Sequence, residues 1–179
     1  SALFLFSAAG SNAQLVNDPN AEVRAAKNFS AISLSSAFDV YLSQSNEEAV
    51  AVSASETKFR DRIKVEVKNG ILYIGYDSKM NLGSGNKKLK AYISFKQINK
   101  LDISGACDVF ITGTLNADEL KVVLSGASNL KGKLEAKRLT VDLSGASDMT
   151  VTGGMAIQLN VDASGASNFK GYELITDVC

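Results

Sequence analysis

Oxygen-bearing side chains recur at a near-constant interval along this chain: Asp108, Asn129, Asp148 and Asn168, with Asp39 in an earlier, worn copy of the same phrase. Carboxylates and carboxamides gathered into one column can do three things. They can bond one another and nearby backbone N–H groups in a structural ladder, as such side chains do at turns. They can offer hard oxygen ligands to Ca²⁺. They can also serve as general acid and base, the chemistry of pectin-degrading β-helices. The mixture of Asp and Asn favours the ladder, because an acid–base site concentrates charge in one place. The calcium-binding pattern G-G-x-G-x-D does not occur. No catalytic residue, metal ligand or cofactor is therefore expected.

A second column lies two residues further along: Tyr41, Phe110, Lys131, Thr150 and Lys170. Two aromatic rings beside a lysine could form a shallow strip for sugar rings, or could pack beneath residues 43–98. The candidate binding residues are thus Asp39, Asp108, Asn129, Asp148, Asn168, Tyr41, Phe110 and Lys131. Serines also recur, at 104, 125, 144 and 164 and at 128, 147 and 167. The chain contains no His to activate a hydroxyl and no G-x-S-x-G elbow, so these serines read as corner hydrogen-bonding residues.

The phrase that carries both columns is spoken four times: Leu101-Asp-Ile-Ser-Gly-Ala-Cys-Asp-Val, Val122-Val-Leu-Ser-Gly-Ala-Ser-Asn-Leu, Val141-Asp-Leu-Ser-Gly-Ala-Ser-Asp-Met and Val161-Asp-Ala-Ser-Gly-Ala-Ser-Asn-Phe. A period of about 20 residues predicts a solenoid whose units stack. Within each unit apolar residues alternate, so Leu120, Val122, Leu124, Leu130 and Leu134 point inward, as do Leu101, Ile103, Val109, Ile111, Leu115, Leu139, Val141, Leu143, Met149 and Val151. No unit holds ten residues of helical periodicity. Each is expected to be three short strands and three corners, with Gly105, Gly126, Gly145 and Gly165 at a corner needing positive φ or close approach.

Ahead of the repeats, residues 1–14 read as the back half of a secretory signal, an apolar run followed by small residues. Residues 15–28 read as a linker, and 29–179 as the domain. Phe29 to Gln44 holds the worn copy, with Ser36 where later copies carry Gly. Residues 43–98 do not repeat and read as a β insertion. In it, Val50–Ser53, Lys64–Val67, Ile71–Tyr76 and Lys90–Phe95 are strands, Glu56–Arg62 is a possible helical turn, and Asn69-Gly70 is a strong hairpin signal. Gly83 to Lys88 reads as a flexible loop. The last unit stops before a fifth phrase, which suggests truncation at the C-terminus. Cys107 and Cys179 fall more than three units apart, too far for a disulfide.

Composition narrows the function. In 179 residues, Lys plus Arg equals Asp plus Glu at 19 each, so there is no basic footprint for nucleic acid and no field to draw an anionic membrane. Membrane insertion of the mature chain is not expected, and export is.

The Ser-Gly-Ala-Ser-Asp/Asn phrase, together with the Phe38-Asp-Val-Tyr-Leu strand, resembles the head GIN domain family of auto-transporter adhesins (DUF2807), common in Bacteroidetes, over roughly Phe29 to Cys179. The resemblance implies an all-β, right-handed parallel β-helix (solenoid) at the periplasm or cell surface, with no catalytic motif to carry over. The leading expectation is an exported, non-enzymatic binding module presenting a flat β face to cell-surface glycan or protein. The alternatives are a polysaccharide-active enzyme using its Asp carboxylates, and a module binding lipid or a small molecule between the insertion and the repeats.

Overall fold

A computed structural model describes residues 4–6, 14–78 and 86–178. Its first two strands, β1 (Phe4–Phe6) and β2 (Gln14–Val16), form a small antiparallel sheet of their own. The rest of the signal-like stretch, the Gly83–Gly85 part of the predicted loop, and Cys179 lie outside the described residues. Next come β3 (Glu22–Arg24), β4 (Ala31–Leu34), β5 (Asp39–Gln44), β6 (Ala49–Ser53) and the single helical turn α1 (Thr57–Arg60). They are followed by β7 (Ile63–Lys68), β8 (Ile71–Tyr76), β9 (Lys90–Phe95) and β10 (Lys100–Ile103). The long strands β11 (Asp108–Leu124), β12 (Asn129–Leu143) and β13 (Asp148–Ala163) lead to the short β14 (Asn168–Gly171) and β15 (Leu174–Val178).

Local chemistry accounts for several of these boundaries. Asn69 and Gly70 both have positive φ, 51° and 73°. That is what a two-residue primed turn needs, and it sets Lys68 opposite Ile71 in the β7–β8 hairpin. Strands β8 and β9 start and stop where apolar alternation does.

The architecture corrects the expected right-handed parallel β-helix. Among the described residues, 13 strands form one mixed sheet in the order β3-β6-β9-β5-β11-β10-β4-β8-β7, with β12 to β15 continuing from β11. The pairs β3–β6, β6–β9 and β7–β8 are antiparallel, while β4, β5 and β8 to β15 otherwise pair in parallel. The sheet curls until it is nearly closed and barrel-shaped. Nor are the units built from three strands and three corners. From Asp108 to Leu124 the chain is one strand of 17 residues, and β12 and β13 run for 15 and 16. Register shifts between Phe110 and Thr114, and between Gly132 and Leu134, bend these strands without interrupting them. A bulge turns a strand while its ladder continues, so one sharp corner per unit suffices.

That corner is Ser-Gly-Ala. The N–H of Ala106 donates to Ser36 O, Ala127 to Gly105 O, Ala146 to Gly126 O and Ala166 to Gly145 O, each at 2.8 Å. A Cβ on Gly126 would stand 2.3 Å from Gly105 O, and one on Gly105 would stand 2.2 Å from Ser36 O. Glycine is required because each corner presses on the carbonyl of the corner before it. Ser36 (φ 84°) keeps a side chain because no Ser-Gly-Ala corner precedes it.

The interior is one apolar cluster running the length of the sheet. It includes Leu34, Leu42, Ile93, Leu101, Leu115, Val122, Leu139 and Val151, all at most 1% exposed. Residues 43–98 join the same structure: β8 lies parallel on β4 and β9 parallel on β5. They thereby supply strands to the face that carries the candidate residues.

Candidate functional site

Strands β9, β5, β11, β12, β13 and β14 lie side by side with their first residues in register. Odd positions of β5 face outward, because Val40 and Leu42 fill the core. Lys90 aligns with Asp39, Asp39 with Asp108, Asp108 with Asn129, Asn129 with Asp148, and Asp148 with Asn168. Five candidates thus form a single line across the sheet. The Asn129 amide donates to Asp108 Oδ1, and the Asn168 amide to Asp148 Oδ1, each at 2.7 Å. At these two steps the column is a side-chain ladder, each amide meeting the carboxylate of the preceding strand. Asp108 and Asp148 are separated by the Asn129 strand, whereas Asp39 and Asp108 are immediate neighbours. Among the described residues no three or more His, Cys, Asp or Glu side chains converge as a metal site would require.

The serines serve the corners. Ser104 Oγ donates to Leu34 O at 3.1 Å, and Ser128, fully buried, donates to Ser125 O at 3.0 Å. Cys107, also fully buried, points its thiol at the Ser36 and Ser104 carbonyls.

The second column is where ring chemistry appears. Tyr92, Tyr41, Phe110, Lys131, Thr150 and Lys170 are aligned on successive strands. Tyr41 stacks on Tyr92 with centroids 5.3 Å apart and planes at 14°, and on Phe110 at 5.6 Å and 24°. These spacings exceed the roughly 3.5–4 Å of full face-to-face contact, so the rings are offset and overlap in part. Exposure rises along the row: Tyr92 is buried, Tyr41 half-buried, and Phe110 is 39% exposed beside the exposed Lys131. The open end of the row is therefore Phe110.

Tyr92 is a residue of this face that sequence reasoning missed. Its signal was present, since Lys90-Ala-Tyr92 repeats the spacing of Asp39-Val-Tyr41, but it sits in residues read as an insertion. Its hydroxyl donates to Asp18 Oδ2 at 2.9 Å, and Ala21 and Ala51 cover the ring. Burial pushes the Tyr92 hydroxyl well above its ordinary value, and the bond to Asp18 adds to that.

The face can now be set beside known proteins. Residues 28–179 match the family described as "Putative auto-transporter adhesin, head GIN domain". The chain belongs to this family. Solved structures share the family fold. A "putative adhesin" from Bacteroides fragilis NCTC 9343 superposes with a TM-score of 0.81 at 23% identity, over 88% of this chain and 73% of that one. A "putative adhesin" from Parabacteroides distasonis ATCC 8503 gives 0.65 at 16%, over 87% and 74%. A "putative lipid binding protein" from the same strain gives 0.60 at 20%, over 89% and 76%. At these identities the likeness is one of fold. A search of curated proteins finds no match. Among the described residues no helix is long and apolar enough to cross a membrane.

Proposed function

We propose that this head GIN domain is a non-enzymatic binding module of an exported adhesin, and that it holds cell-surface glycan against the outer face of β5, β11 and β12. The observation that carries the reading is the offset aromatic row ending at Phe110 on an open surface, next to Lys131 and the Asp108–Asn129 pair. A pyranose ring offers an apolar C–H face to an aromatic ring and hydroxyls at its edge. Phe110, with the uncovered part of Tyr41, supplies the platform. Asp108 and Asn129 accept from and donate to hydroxyls, already oriented by their mutual bond, so little freedom is lost on binding. Membership of an adhesin-named family supports a surface role.

A glycan array followed by calorimetry on the best hits tests this. Phe110→Ala should weaken binding by about 1–2 kcal/mol, roughly five- to thirtyfold in Kd. Lys100→Ala, where Lys100 pairs with Asp102 on β10 outside the row, should change nothing. Glycan binding that survives Phe110→Ala unchanged, or an array without a saturable hit, would sink the proposal.

A further inference from the structure

The corner column has a first member, Ser36–Ala37, and a cavity lies beside it. From Gly105 onward every Ser-Gly-Ala corner rests on the one before. The Ser36–Ala37 corner does not. The links β4–β5 and β10–β11 take residues 35–38 and 104–107, but β8 ends at Tyr76 and β9 begins at Lys90. Beside the first corner, lined by residues 36–39, Tyr76, Ser78, 86–90, Gly105 and Ala106, lies a trough of about 870 Å³, open to solvent. That is within the range of small-molecule sites, about 300–1,000 Å³.

The lining has two characters. Phe38 and Leu89 are buried and make an apolar floor, with Ala37 and Ala106 beside them. Tyr76 forms a wall, its ring centroid 5.5 Å from Lys87 Nζ and 5.5 Å from the Arg62 guanidinium. Lys87, Lys88 and Lys90 also line the trough, against one acid, Asp39. Among the described residues none of these three lysines is held in an ion pair. By contrast, Lys100 and Lys121 are held by Asp102 and Asp142 at 3.0 and 2.9 Å.

Ammonium groups outside any ion pair, set round an apolar floor, suit a ligand with an anionic head and an apolar body. A hydrated inorganic anion would leave the floor unused, and a neutral apolar chain would leave the lysines unused. We propose that the trough beside the Ser36–Ala37 corner binds an anionic amphiphile, its apolar part on Phe38, Leu89 and Tyr76 and its head among Lys87, Lys88 and Lys90. The site shares none of the three rings of the aromatic row, although Lys90 and Asp39 continue the line of Asp108 and Asn129, and it does not depend on the glycan reading.

The test is calorimetric titration of the whole chain with dodecanoate below its micellar concentration. Dodecyl maltoside, dodecyltrimethylammonium and inorganic phosphate serve as matched probes. Dodecanoate should bind saturably at one site, and the other three should bind at least about tenfold more weakly. Lys87→Gln with Lys88→Gln should weaken dodecanoate at least about tenfold, and Ala37→Trp, placed at an exposed corner position to fill the trough, should abolish it. Thermal unfolding confirms that each variant is folded. If either variant fails to fold, the other and the probe series still decide. The proposal is overturned if dodecanoate does not bind saturably, if any matched probe binds as tightly, or if folded variants keep the parent affinity.

Discussion

Replacing Gly126 with Ala probes the corner contact, and Gly113 provides its control within the same chain. Both glycines have φ of 77°, so both substitutions pay the same left-handed backbone penalty, about 1–2 kcal/mol. They differ in surroundings. A Cβ at Gly113 meets nothing within 4 Å, whereas one at Gly126 stands 2.3 Å from Gly105 O. That oxygen already accepts the Ala127 N–H at 2.8 Å and belongs to the neighbouring corner. It cannot retreat without loosening the ladder on both sides. Overpacking of this kind typically costs a further 1–3 kcal/mol, roughly. Gly126→Ala should therefore destabilise by on the order of 2–5 kcal/mol, and Gly113→Ala by about 1–2. Urea unfolding of both variants, followed by far-UV circular dichroism and compared at a common slope, measures the difference. Equal losses, within about 0.5 kcal/mol, would show that the corners do not press on one another and that backbone conformation alone selects glycine.

Two further outcomes concern titratable groups. Burial alone raises the Asp18 carboxyl, but hydrogen bonds from Ser53, Tyr92 and the Asn20 N–H, with Lys90 nearby, outweigh it and hold the folded value below the ordinary 3.8. A depressed carboxyl stabilises the fold above its unfolded value and loses that contribution as pH falls through the folded one. Asp18→Asn should thus cost about 1 kcal/mol at pH 7, discounted for partial exposure, with the gap to the parent closing below about pH 4; a gap of the same size at pH 3 would refute it. Burial also pushes the Cys107 thiol up, partly offset by its backbone bond, with Asp108 and Asp39 adding to the rise. In a Cys179→Ser background, iodoacetamide at pH 8 should label native protein at least about a hundredfold more slowly than urea-unfolded protein, and comparable rates would contradict the buried placement.

The fold was legible wherever one residue's chemistry settles a local question. Asn69-Gly70 fixed a hairpin because both positions need positive φ. Alternation placed Leu101, Val122, Leu139 and Val151 inside because a strand can bury only one face. What was not legible depends on partners distant in sequence. Period-two patterning identifies a strand but does not say whether a bend keeps or breaks its ladder, so three corners were expected where bulges near Gly113 and Gly132 bend one continuous strand. The antiparallel pairings of β3 with β6 and β6 with β9 join segments with no common motif. The columns could be written from the phrase alone, but their neighbours could not. Tyr92 and Asp18 belong to strands and links outside the repeats, and only their placement beside Tyr41 reveals that the aromatic row is three rings long.

Ser36 shows what a departure from a repeat can mean once the cause of the repeat is known. Glycine recurs at Gly105, Gly126, Gly145 and Gly165 because a Cβ there would strike the carbonyl of the preceding corner. The first corner has no Ser-Gly-Ala before it in the chain, and there a serine stands at positive φ. The hydroxyl that Ser36 keeps accepts the Tyr76 N–H at 3.3 Å, tying the end of β8 to the corner. Tyr76 is in turn the wall of the trough and the ring against which Lys87 and Arg62 lie. The worn copy therefore stands where the run of corners begins, and the trough lies beside it. Ser36→Gly should leave the stack intact, since it relieves a positive φ while losing one long hydrogen bond, but should loosen Tyr76. If the trough binds as proposed, dodecanoate affinity falls in that variant while glycan binding at Phe110 does not, which separates the two sites by a change at the edge of the trough.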